Sequence, residues 1–306
     1  MKNKKMLGNA ILLLTAIVWG TAFVFQRKGM DHIEPLSFTF TRMYLASAAL
    51  AIVSFIKNRI DKAAGRAPAD TMSPEALAEY KKNTLIGGIV CGLCLSGGSI
   101  FQQIGVVYTT AGKAGFITAL YILLVPIIGV IFLKKREPWL TWVAVVIGAA
   151  GLYFLSIKEG FTIEKGDAFV MICALFFSLH ILMCDRFVGK GDPLRISMLQ
   201  FLTVAVVTTV PAFIFETPTM EKIASAAFPI FFCGLGSGAL GFTLQLIGQR
   251  YTDPSSASLI MSLESVFAAI SGALILSETM SLREIAGCAL MFTAIILVQL
   301  PVPERK

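Results

Sequence analysis

Apolar residues run in blocks of about twenty, parted by short polar or charged stretches, along nearly the whole 306-residue chain. Hydrocarbon ~30 Å thick needs roughly 20 apolar residues per helix, so each block reads as a membrane-crossing helix. The first half predicts spans at 7–26, 35–56, 84–108, 111–133 and 139–157. The second half predicts spans at 166–185, 193–215, 228–249, 254–277 and 282–301. The break after span three rests on the uncharged Thr109-Thr110. The expected fold is all-α and integral to the membrane, with ten transmembrane helices. The stretch 57–83 (Lys57, Arg59, Lys62, Arg66, Lys81, Lys82) reads as a solvated connector touching anionic headgroups, with a helix start at Ser73-Pro74-Glu75.

The punctuation between blocks is written twice. Gly8-Asn9-Ala10 returns as Gly166-Asp167-Ala168, and Pro35-Leu36 as Pro193-Leu194, each 158 positions on. Cys91-Gly92-Leu93 returns as Cys233-Gly234-Leu235, and Tyr108-Thr109 as Tyr251-Thr252. The offset drops to about 143 because the connector 57–83 is longer than its counterpart 216–227. Five spans per copy is an odd number, so the second copy crosses the membrane upside down. The expected units are five-helix repeats at 1–157 and 158–306, inverted around a central cavity.

Composition agrees with lipid as the main solvent. The chain is 56% hydrophobic and 15% charged, where soluble domains carry roughly 25% charged residues. The net charge of +7 brings no basic patch interleaved with aromatics, so no nucleic-acid partner is expected. With the N-terminus inside, 18 of the 26 Lys and Arg fall on the cytoplasmic side and 7 on the other, while Arg42 lies within a span. That bias puts both termini in the cytoplasm. Met1 to Ala22 imitates a signal peptide, but it corresponds to the internal run at Gly166 and reads as a span that stays. Cys91, Cys94, Cys173, Cys184, Cys233 and Cys288 all sit in apolar runs and read as packing residues. There is no H-E-x-x-H, G-x-S-x-G, G-x-x-x-x-G-K-[ST] or C-x-x-C-H. No metal, cofactor or catalytic residue is expected, and pumping without a nucleotide site must draw on gradients.

Candidate chemistry lies in residues that are costly in lipid. Glu264 falls about ten residues into span nine, ~15 Å deep, where an acid costs roughly 2.5–3.5 kcal/mol on insertion scales. It reads as a structural hydrogen-bonder, a site for a cationic or amino group, or a coupling proton site. Its repeat counterpart is Tyr121. Arg42, whose counterpart is Gln200, is open to three readings: snorkelling outward, pairing with Glu264, or receiving a substrate carboxylate. Trp19 is filler or a cavity wall. His180 is a helix-to-helix hydrogen-bonder or a proton relay, and Gln102, Gln103 and Gln245 add polar groups. Lys113 reads as snorkelling. Gly88-x-x-x-Gly92 and Gly234-x-x-x-Gly238 are small faces that let helices approach.

Several of these residues form a pattern. Trp19-Gly20, Pro35 followed by Arg42, Lys113-Ala114-Gly115-Phe116-Ile117-Thr118 leading to Tyr121 and Pro126, then Glu264, Phe267-Ala268-Ala269 and Leu276-Ser277-Glu278 resemble the EamA family of the drug/metabolite transporter superfamily. The proline that often follows the acidic residue there is Ser265 here, so no proline kinks the chain after Glu264. The resemblance implies ten helices, cytoplasmic termini and a central cavity. Spans one, three, four, six, eight and nine would line it, and these carry Trp19, Gln102, Tyr121, His180, Gln245 and Glu264. Similar carriers export amino acids or other small metabolites, and some handle nucleotide sugars or triose phosphates.

The expectation is a multi-pass carrier in a bacterial plasma membrane, exporting a small organic metabolite, an amino acid first, by alternating access. Proton antiport and uniport both remain open, as do monomer and homodimer. The alternative is a membrane-embedded enzyme such as a lipid or prenyl-group transferase, which would show clustered Asp or His at one face. A channel would want continuous pore-lining polarity, which these spans lack.

Overall fold

The computed structural model describes residues 2–109, 111–156, 165–276 and 281–300. Thr110, Lys158, Ser277, Glu278 and the C-terminal basic pair, all used above, lie outside the described residues, as does the side chain of Lys113. Among the described residues every regular element is a helix.

The first half holds α1 (Lys2–Gly29), α2 (Pro35–Ala63), α3 (Pro68–Thr71), α4 (Pro74–Tyr108), α5 (Ala111–Ala119), α6 (Tyr121–Leu133) and α7 (Trp139–Ser156). The second holds α8 (Lys165–Val188), α9 (Pro193–Phe215), α10 (Met220–Ser225), α11 (Ala227–Phe231), a wider π-helical stretch (Phe232–Phe242), α12 (Thr243–Gln249), α13 (Pro254–Met261), α14 (Glu264–Leu276) and α15 (Leu282–Gln299). Seven helices among the described residues, rather than the expected ten, are long and apolar enough to cross a membrane, and Trp139–Phe154 is a shorter apolar one. The expected span 254–277 is two short helices, and the last, 282–301, is the 18-residue α15 with Arg283 and Glu284 in its first turn.

The connector 57–83 is more helical than expected. α2 runs on to Ala63 because its Lys, Arg and Ala residues favour helix once outside lipid. α4 begins at Pro74, with Ser73 Oγ capping the Ala76 N–H at 3.3 Å as its sequence predicts. Outward faces are apolar: Phe132 is 74% and Phe215 78% exposed, as side chains bathed in hydrocarbon would be.

The heaviest packing joins one half to the other. α4 lies along α8 and α9, α2 along α9, α7 along α15, and α1 against α14, α12 and the π stretch. The face Gly88…Gly92 meets Leu199 and Thr203 of α9, and Gly234…Gly238 meets Leu45 and Ala46 of α2. Contacts also recur with the halves exchanged. Thr252 Oγ1 donates to Asn9 Oδ1 at 2.9 Å, and Thr109 Oγ1 donates to Asp167 Oδ1 at 2.8 Å. A Cβ on Gly8 would lie 2.9 Å from the Gly248 carbonyl oxygen, and one on Gly166 would lie 2.8 Å from that of Gly105. The duplicated residues of the sequence therefore make a duplicated contact, each copy gripping the other.

One end of the α2–α9 pair is clasped by charge. The Glu216 carboxylate accepts from the Leu36 N–H at 2.8 Å, the Ser37 N–H at 2.7 Å and Ser37 Oγ at 2.7 Å, satisfying the free donors at the start of α2. Lys222 pairs with Glu34 beside it. Burial alone would push the Glu34 carboxyl up, but hydrogen bonds from Lys222 and the backbone, with the Lys222 charge, outweigh it and hold the group below its ordinary value.

Candidate functional site

Two helices break at matching places, and the breaks build the site. Leu120 separates α5 from α6, and Ser262–Leu263 separate α13 from α14. Both breaks tighten in the same way: the Leu120 N–H donates to the Ile117 carbonyl and the Leu263 N–H to that of Ile260, each at 3.2 Å. The residues that then start the second half-helices are Tyr121 and Glu264, counterparts under the 143-residue offset. They meet. The Tyr121 hydroxyl donates to Glu264 Oε1 at 3.0 Å, with both side chains buried. The kink near Glu264 is thus made without a proline, by a turn just before the acid. The Ser265 hydroxyl donates across to the Gly115 carbonyl at 3.2 Å. Gly20 lets α1 press on this turn, since a Cβ there would lie 2.5 Å from the Glu264 carbonyl oxygen.

Glu264 and Tyr121 open onto a cavity between the two halves. Its wall brings together all seven residues singled out as candidates: Trp19, Arg42, Gln102, Tyr121, His180, Gln245 and Glu264. Trp19 is cavity wall, with its Nε1–H donating to the Ser237 carbonyl at 3.2 Å and its ring tilted on Phe242 at 4.6 Å. Ser237 lies within the π-helical stretch Phe232–Phe242, whose i→i+5 winding is wider than that of the α-helices around it. His180 bridges helices, its Nε2 lying 2.9 Å from Gln200 Oε1 on α9. Gln102 Nε2 donates to Thr118 Oγ1 at 3.2 Å.

Arg42 is 4% exposed, which removes the snorkelling reading. Its guanidinium lies 5.3 Å from the Phe38 ring centre and beside the Cys233 thiol. Among the described residues no carboxylate stands within 4 Å of it, so the pairing with Glu264 is not made, and its Nε has no hydrogen-bond partner. Gln245 is also buried with both amide atoms unpartnered, as is Gln26 Oε1. Buried polar groups are satisfied as a rule, and leaving one unmade costs about 1–3 kcal/mol. The three residues that carry these orphaned atoms all line one cavity.

Sequence reasoning missed Phe23, Gln26, Ser99, Thr118, Phe177, Ser237 and Phe242, which also line it. Helical spacing would have found several. Phe23 and Gln26 follow Trp19 at i+4 and i+7, Ser99 precedes Gln102 by three, Thr118 precedes Tyr121 by three, and Phe177 precedes His180 by three. Among the described residues no group of three or more His, Cys, Asp or Glu is placed to hold a metal, and Glu264 is the sole acid in the cavity wall.

The EamA-like transporter family matches the chain twice, over residues 6–157 and 164–300. An uncharacterized transporter of Archaeoglobus fulgidus is 28% identical over 299 residues, covering 98% of this chain and 88% of its own. The uncharacterized transporter YoaV of Bacillus subtilis is 23% identical over 308 residues, covering 99% of both. One crystal structure shares the fold with a TM-score of 0.74 at 16% identity, over 95% of this chain and 96% of its own. Long apolar helices and a family match over nearly the whole length make this a multi-pass membrane protein, and the chain belongs to the EamA-like transporter family.

Proposed function

We propose that this transporter exports amino acids across a plasma membrane by alternating access, through a cavity held between two inverted five-helix repeats, with ten spans and both termini in the cytoplasm. The division at 1–157 and 158–306 is supported by the two family matches and by the exchanged contacts at Gly8/Asn9 and Gly166/Asp167. Cytoplasmic termini are supported by the excess of Lys and Arg on that side.

The observation that carries the substrate class is Arg42, buried at the cavity with its Nε unpartnered while Glu264 lines the same wall. A guanidinium binds a carboxylate and a carboxylate binds an ammonium, so the pair matches a zwitterion. Trp19, Phe177 and Phe242 supply an apolar wall for the substrate's side chain. The half-helices α6 and α14 start at the cavity, and their N-terminal dipoles favour negative charge there.

Counterflow in proteoliposomes preloaded with unlabelled amino acids tests the reading: labelled amino acid accumulates against its gradient if the reading holds, and none of the panel accumulates if it does not. The same assay decides what Glu264 does. In Glu264→Gln the amide oxygen still accepts from Tyr121, so the fold is expected to stand. A variant matching wild type at every pH would remove the carboxylate from any coupling of substrate to protons.

A further inference from the structure

We infer a second site, for an anionic phospholipid, between α2, α4 and α9 at the end where the charged connector meets the membrane. Two adjoining cavities, both open to the surface, lie there. They share Tyr80, Lys81 and Arg195 as wall. The first adds Lys57 and Lys62 and is roofed by Ala67, Pro68 and Ala69, where the chain turns through α3. The second adds Thr84, Leu85, Met198 and Leu199, so it passes from charge to hydrocarbon within one turn of helix.

The balance of charge is positive. Four basic side chains face one acid, Asp192, which is buried and spends its Oδ1 on the Leu194 and Arg195 N–H groups at 2.9 and 3.2 Å. Lys57 is paired with Asp61, leaving Lys62, Lys81 and Arg195 without an ion pair among the described residues. The apolar floor continues along both helices: Leu85, Ile89 and Leu93 of α4 and Leu202 and Val206 of α9 are all outward-facing and exposed.

A basic head with an exposed apolar furrow below it fits a phosphate on two acyl chains. It does not fit a soluble anion, which would have no use for the furrow. Basic pockets between helices at the cytoplasmic surface hold acidic headgroups by this chemistry, with about 1 kcal/mol from each cation near the surface. The site is remote from the cavity wall described above, sharing no residue with it. It needs α4 and α9 to span the membrane but not any particular substrate.

The test is a thermal-melt series on the full-length protein in detergent with added phosphatidylglycerol, phosphatidylcholine of the same chains, or inorganic phosphate. Wild type is expected to melt several degrees higher with phosphatidylglycerol and to stay unmoved by the other two. The double variant Lys81→Gln, Arg195→Gln is expected to lose that shift, while the charge-matched control Arg27→Gln, Lys28→Gln, exposed in the last turn of α1 and outside both cavities, keeps it. Equal stabilisation by phosphatidylcholine, or an undiminished shift in the double variant, overturns the proposal. A full shift with inorganic phosphate alone also overturns it in favour of a free-anion site. Native mass spectrometry of wild type, where phosphatidylglycerol should stay bound and an excess of phosphatidylcholine should not, gives the answer independently if the double variant fails to fold.

Discussion

Substrate binding by Arg42→Gln is expected to weaken ~30-fold or more. Truncating one partner of a buried charge pair costs on the order of 2–5 kcal/mol, and each 1.4 kcal/mol is tenfold in affinity. Arg42 is buried, and it meets no carboxylate of the chain among the described residues. Its natural counter-charge is therefore one that arrives in the cavity. Glutamine is the replacement of choice because it is neutral and polar, as is Gln200, which stands 158 positions on in the duplicated pattern and bonds to His180. The measurement is a dissociation constant by calorimetry for the amino acid giving the strongest counterflow. An unchanged constant would return Arg42 to a packing role and remove the carboxylate from the substrate class.

The second large effect concerns the clasp between halves. Gly166→Val is expected to cost ~3 kcal/mol or more, the upper end for overpacking. A Cβ at Gly166 would fall 2.8 Å from the Gly105 carbonyl oxygen, 2.8 Å from the Tyr108 carbonyl carbon and 2.9 Å from the Thr109 nitrogen. All three are backbone atoms of α4 or its end, so no side chain can swing away and the helices must part. Gly8→Val, meeting the Gly248 carbonyl oxygen at 2.9 Å and Tyr251 Cβ at 2.9 Å, is expected to behave alike. Gly129→Val serves as control, because nothing lies within 4 Å of its added Cβ. Melting in detergent followed by size exclusion reads all three. A Gly166→Val protein that melts with wild type would mean the duplicated contact is not a structural joint.

These two cases also mark how far the sequence could be read. The apolar blocks gave the helices because twenty apolar residues in lipid have little choice but to satisfy their own backbone. The duplicated Gly-Asn-Ala and Gly-Asp-Ala signals identified residues that do grip across the halves, since a close approach needs glycine whatever the surrounding sequence. Part of the polar wall was legible as well: lipid penalises charged and amide side chains, so Glu264, Arg42 and Gln245 stood out, whereas Gln26 and the small hydroxyls Ser99, Thr118 and Ser237 did not.

What escaped was geometry set by packing. No proline stands at Leu120 or Ser262–Leu263, yet both helices break there, and the glycines of Phe232–Phe242 (Gly234, Gly236, Gly238 and Gly241) loosen a helix without specifying a π winding. Those irregularities depend on which helix lies alongside, as where α1 lies against the first turn of α14 at Gly20 and against the π stretch through Trp19. Within 57–83 the helix start at Ser73-Pro74 was legible, whereas the run of α2 on to Ala63 was not, because Lys, Arg and Ala mark solvent and favour helix alike.

The central claim is that one pocket, gripped by both halves, is reached from each side of the membrane in turn. Ser237 lines that pocket, and only its backbone carbonyl engages Trp19, so Ser237→Cys leaves the contact in place. In a background with the six native cysteines replaced, a membrane-impermeant maleimide applied to sealed vesicles of either orientation measures access directly. The account predicts labelling from both faces, slowed from both by the transported amino acid. Labelling from neither face, or from one face only with no protection by substrate, would contradict it.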